Sequence, residues 1–171
     1  MKFEIPEEEW KKAQVPHEIF LTNMIGNHVL MFIAALGMVG IYWQPLAMVP
    51  VISFCLLVYT LWRARKSKVE DPWFVMCHWQ IAAQRSRIFI YMLMFMLIVS
   101  TFGWAGYTYF GMMKVAVYAI VGGVGILPTM VTILVLIMME SDAMYQAKQG
   151  KLPNSVVERY PNPEIKRVSV E

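Results

Sequence analysis

Acidic and basic side chains are missing from four long stretches of this chain, residues 20–43, 46–62, 88–109 and 115–139. An uncharged apolar run of about 20 residues suffices for a helix to cross roughly 30 Å of hydrocarbon. With 58% hydrophobic residues and a mean hydropathy of +0.49, the 171-residue chain is too apolar for a water-soluble domain of its size. Ionisable residues within spans mark proton relays and ion pathways, so their absence counts against a pump. Apolar/polar alternation is also missing, which argues against a β-barrel. Cysteine is scarce: Cys55 and Cys77 have no metal-ligand spacing and support no disulfide framework, so both are expected as free, packed thiols. Nor does the sequence hold a nucleophile with a paired base, a carboxylate pair inside the apolar runs or a glycine-rich phosphate loop, so no catalytic residue is assigned and no enzymatic activity is expected.

The runs that are present predict an all-α integral membrane protein: four transmembrane helices as two hairpins, with a cytoplasmic interfacial helix between helices 2 and 3. All Lys and Arg except Lys114 lie in the N-terminal arm, the central loop or the C-terminal tail. Basic residues close to a span are retained on the cytoplasmic side, so both termini and the central loop are placed there, in the cell inner (cytoplasmic) membrane. Trp43, Trp104, Tyr107 and Tyr109 fall at the outer boundary and Trp62 at the inner one, where amphipathic rings prefer to sit. The expected organisation is a cytoplasmic arm over 1–18, a transmembrane domain over 19–140 and a C-terminal helix extension and tail over 141–171. The first 18 residues are charged and the run after them is too long for a signal-peptide core. Gly150 offers a C-cap for helix 4, and beyond it LPN and PNP predict an extended tail.

The central stretch VEDPWFVMCHWQIAAQRSR, residues 69–87, reads as the interfacial helix over 71–87. Asp71 caps and Pro72 opens it. Val75, Met76, Trp79, Ala82, Ala83 and Ser86 share an apolar side. Trp73 and Trp79 are assigned to the headgroup zone and Arg85 and Arg87 to lipid phosphates, with an elbow into helix 3. The net charge of +3 beside a membrane points to anionic lipid, not nucleic acid.

Inside the spans only small polar groups and one histidine remain. Counted at 1.5 Å per residue, Thr60 and Thr129 lie about 21 Å below the outer surface, near the depth of Asn27 and His28. These four form an expected inner polar layer, and Ser53 with Ser100 a second one nearer the outer surface. His28 is read as a packing histidine bonded to a neighbouring Thr, Asn or carbonyl. The alternative is an axial ligand of haem b, with His78 reaching in as its partner. In helix 4, Gly122, Gly123 and Gly125 read as a close-packing surface, through the Ala119/Gly123 small-xxx-small pair, followed by a kink at Pro128. The 15 methionines read as adaptable packing.

These readings add up to a non-catalytic subunit or scaffold of a larger inner-membrane complex, such as a secretion, respiratory or transport assembly. Its partners would be membrane lipids and other integral membrane subunits, in a hetero- or homo-oligomer, with no cofactor. Two alternatives are a small haem- or quinone-linked electron carrier using His28 and a homo-oligomeric channel or carrier lined by helix 4.

Overall fold

The computed structural model describes residues 1–162, and no strand occurs among the described residues. The elements are α1 (Glu7–Leu21), a first π segment (Thr22–Met31), α2 (Phe32–Met38), α3 (Gln44–Glu70), α4 (Trp73–Tyr109), α5 (Lys114–Ile120), a second π segment (Val121–Ile126), α6 (Leu127–Lys148) and α7 (Asn154–Arg159). The π segments join their flanking helices without a break. Four rods result, Glu7–Met38, Gln44–Glu70, Trp73–Tyr109 and Lys114–Lys148, each long and apolar enough to cross a membrane. At 1.5 Å per residue they measure about 40 to 55 Å, against roughly 30 Å of hydrocarbon. The surplus in each rod falls at the end carrying the charged residues, since the apolar runs begin only at Phe20 and Ile88 and end at Trp62 and Met139.

The chain divides into two compact units, one formed by Met1–Ser86 with the chain from Ile137 onward, the other by Arg87–Leu136. In the first unit, the rod of α1, π segment and α2 packs along α3. The hydrophobic core of this unit lies among the charged helix ends. Phe3, Ala13, Ala64, Phe74, Val75, Cys77, Trp79, Ile81, Ala83, Ala147, Leu152 and Val157 are all buried in one cluster. Both terminal segments belong to it. The Phe3 amide donates to the Gly150 carbonyl, and the Leu152 amide donates to the Met1 carbonyl at 2.9 Å. We call this assembly the cap.

Gly150 ends α6 as its composition predicts. It takes φ +67°, and the Lys151 amide returns to the Gln146 carbonyl at 2.9 Å, a Schellman closure. The tail differs from expectation up to Asn162. Residues 154–159 form α7, Leu152 and Val157 are buried, and the Trp73 indole donates to the Tyr160 carbonyl at 2.7 Å. Burial of those two apolar side chains offsets the poor local propensity of a Pro-flanked segment. The rest of the expected tail lies outside the described residues.

The stretch 71–87 is not a separate helix. α4 is one continuous helix from Trp73 to Tyr109. Pro72 does precede its first turn, but the Asp71 carboxylate is taken by Arg63 at 2.8 Å. Its apolar face meets protein: Trp79 is buried, and the Arg63 guanidinium lies over its ring at 5.2 Å. The Trp79 ring therefore meets protein instead of the expected headgroups, because a sequence wheel cannot tell an apolar face that meets lipid from one that meets a neighbouring helix.

In the second unit the glycines sort differently from the α-helical wheel. A Cβ on Gly125 would lie 3.4 Å from Val99 and 3.7 Å from Met96, whereas Gly122 and Gly123 face open space. The reason is the π segment. The Leu127 amide bonds the Gly122 carbonyl five residues back, so the turn holds an extra residue and the packed face moves off the Ala119/Gly123 register. Pro128, which cannot donate to the Val124 carbonyl, follows directly.

Candidate functional site

Two buried polar groupings lie in the first unit. The deeper one is organised by the first π segment. At its end the Phe32 amide reaches the Asn27 carbonyl, five residues back. Asn23 and Asn27, four residues apart, share a face at either spacing, but it is the wider π turn that brings His28, five residues from Asn23, to the same buried side. Asn23 donates to the Ser53 hydroxyl at 3.2 Å, and Asn27 donates to Asn23 Oδ1 at 3.2 Å and to the Val49 carbonyl at 2.8 Å. Pro50 lies one residue beyond that carbonyl, so Asn27 ties the first rod to a proline-bearing turn of α3. His28 Nδ1 stands 3.0 Å from the Asn23 carbonyl, which fixes it as the protonated ring nitrogen there.

Two members of the expected inner layer, Asn27 and His28, come together within the first unit. Asn27 and His28 share Asn23 as a partner, a residue the depth count passed over. Thr60 donates back to the Leu56 carbonyl and Thr129 to the Gly125 carbonyl, each within its own helix. The Ser53 hydroxyl accepts from Asn23. Four-residue back-bonding is the cheapest way for a lone hydroxyl to be satisfied in hydrocarbon.

The second grouping sits within the cap, and its residues come from three helices. His17 of α1 presents Nδ1 to Glu140 Oε2 of α6 at 2.5 Å and Nε2 to His78 Nδ1 of α4 at 2.9 Å. The two imidazole planes cross at 88° with centroids 5.1 Å apart, and Phe74 packs edge-on to His78. Arg85 approaches Glu140 Oε1 at 3.3 Å and donates to the Met139 carbonyl at 2.8 Å. His17, His78 and Glu140 are each 0% exposed. This is a linear chain, His78, His17, Glu140, Arg85, whose first three members are closed off from water and whose Arg85 end is partly exposed.

The chemistry of the chain follows from its ring nitrogens. Glu140, paired with Arg85, is a carboxylate acceptor, so His17 Nδ1 carries a hydrogen. The facing nitrogens, His17 Nε2 and His78 Nδ1, share one hydrogen between them. The arrangement thus holds either two neutral imidazoles or one imidazolium.

His78 was placed by the sequence as a possible partner for His28; the structure gives it to His17 instead. Arg85, expected at lipid phosphates, is turned inward to Glu140 and the α6 carbonyl, while Arg87 is exposed. His17 and Glu140 were not singled out at all. A signal existed: Glu140 is the first ionisable residue after the run 115–139, and Arg85 stands three residues before the run starting at Ile88. Opposite charges at the same helix ends are natural partners. Among the described residues no group of three or more His, Cys, Asp or Glu is arranged to hold a metal ion. Family models, curated proteins and solved structures give no match to this chain, so the functional argument rests on this geometry.

Proposed function

We propose that this protein is a non-catalytic, multi-pass subunit of a larger inner-membrane complex, with the cap in the cytoplasm as its docking platform. The observation that carries the reading is the cap core. Both terminal segments and the ends of all four rods are committed to a buried cluster at the charged ends of the helices. A chain that only spanned the bilayer would have no use for it. A rigid folded cap is what holds a partner-binding surface in place. In this reading the rods cross as two antiparallel pairs, and the first turns of α4 stand in the cytoplasm as part of the cap instead of lying along the headgroups.

The lipid-facing surface supports membrane residence, since Leu30, Ile33, Phe54, Tyr91, Phe102 and Leu134 leave most of their area exposed. The test is purification from native membranes in mild detergent. A stable assembly containing other integral membrane chains is expected, and it should be lost in Phe74→Ser while the variant chain stays membrane-inserted. A wild-type protein that runs as a lone monomer, with no partner chain, would overturn the proposal.

A further inference from the structure

The His17–His78 contact is a hydrogen bond between two groups that both take up protons, and that gives it a property other buried contacts lack. We propose that this pair is a proton-operated latch: it holds the cap closed with up to three ring protons, and uptake of the fourth releases α1 from α4 together with the segment 151–160. The inference stands whether or not the cap has a protein partner.

The proton count decides the behaviour. Two imidazoles offer four nitrogens. With two or three hydrogens bound, one hydrogen lies between His17 Nε2 and His78 Nδ1, and the 2.9 Å contact is attractive. With four, both facing nitrogens carry hydrogens, and the contact becomes N–H against H–N between two cations. The first extra proton is well placed, because an imidazolium at His17 faces Glu140. The second has no such anion. Glu140 is shared already between His17 and Arg85, and Arg85 is a permanent cation on the same helix as His78.

Among the described residues, the remaining charged groups around the pair do not supply a counter-charge. On α3, Arg63 is occupied by Asp71 and the Trp79 ring. On α6, Asp142 accepts from Gln146 at the surface. On α1, Glu18 is exposed and Glu9 faces the Phe74 backbone. Cys77, adjacent to His78, is buried. The backbone of Lys151 lies on the other side of His78, and Lys2 is bridged to Lys151 in the seam that closes the cap. Displacing the His78 ring therefore strikes first at the turn that anchors residues 151–160.

Hydrogen–deuterium exchange of the full chain in lipid nanodiscs, corrected for the intrinsic pH dependence of exchange, reads the latch directly. Between pH 7.5 and 5.0, protection of amides 151–160 is expected to fall more than tenfold in the wild type, with amides 46–62 unchanged. In His78→Asn the side-chain amide nitrogen takes the place of Nδ1–H and donates to His17, but it cannot take up a proton. There the fall should shrink below twofold. Protection that is independent of pH in the wild type, or an undiminished fall in the variant, overturns the proposal. Should His78→Asn fail to fold, ring-¹⁵N spectra of the wild type decide. Both imidazoles fully protonated while 151–160 stays protected is the contrary result, and protonation of the second ring coinciding with loss of protection is the supporting one.

Discussion

Phe3 and Gly150 meet backbone to backbone: the Phe3 amide donates to the Gly150 carbonyl at 2.8 Å, and a Cβ on Gly150 would stand 2.6 Å from the Phe3 oxygen. Gly150 also occupies φ +67°, a region that disfavours any side chain. Gly150→Ala should therefore destabilise the cap by about 1 to 3 kcal/mol. Gly111, at φ +66° with open space around it, is the control, and its replacement by Ala should cost only about 1 to 2 kcal/mol. Thermal unfolding in detergent compares the two. Equal losses would show that the Phe3 contact yields without strain.

For the second unit, Gly125→Leu should prevent folding and Gly123→Leu should be close to silent, because only Gly125 has side chains at van der Waals distance. Recovery of monodisperse protein after solubilisation measures this. The reverse ranking would mean that the Gly123 face is an interface occupied in the native membrane.

Within the cap cluster, Glu140→Ala removes the one anion between His17 and Arg85. Breaking a buried pair from one side typically costs about 3 to 5 kcal/mol, since the remaining charge loses its compensation. Chemical unfolding should show a loss of that order. A loss below about 1 kcal/mol would place the cluster in contact with water.

His28→Gln should fold normally, because the bond from Nδ1 to the Asn23 carbonyl is of a kind that contributes around 0.6 kcal/mol in membranes. The purified wild type should show no Soret band. A haem spectrum that disappears in His28→Gln would replace the scaffold reading with electron transfer.

Sidedness is checked with thiol labelling of intact cells in a Cys55→Ser background. Ile41→Cys and Phe110→Cys, at turns 80% and 82% exposed, should react with an impermeant reagent, and Val69→Cys, 89% exposed, should not. Reaction at position 69 from outside would invert the topology.

The four rods were legible in the sequence because an uncharged run of about 20 apolar residues has few other solutions. Gly150 was legible for the same kind of reason, a local one. The π segments were not. Nothing in TNMIGNHVLM or VGGVGI announces five-residue hydrogen bonding, yet that bonding decides that Asn23 meets Ser53 and that Gly125 rather than Gly123 is packed. Depth counting gives a level along a helix but not a bonding partner, and the Thr60 and Thr129 hydroxyls are each satisfied inside their own helix. The cap cluster joins residues 61 and 123 positions apart, and a chain read locally carries no record of such pairings. The apolar face of 71–87 was visible, but its neighbour was not.

The seam between residues 1–3 and 150–152 also orders events during synthesis. A ribosome adding about 5 to 20 residues per second makes the first side of the seam roughly 7 to 30 s before the second. Until Leu152 emerges, Phe3 has no carbonyl at Gly150 to meet and the core around Phe74 stays open. A chain that stalls, or whose last helix fails to insert, is left with that apolar surface uncovered, and so is marked for a protease or chaperone by its own incompleteness.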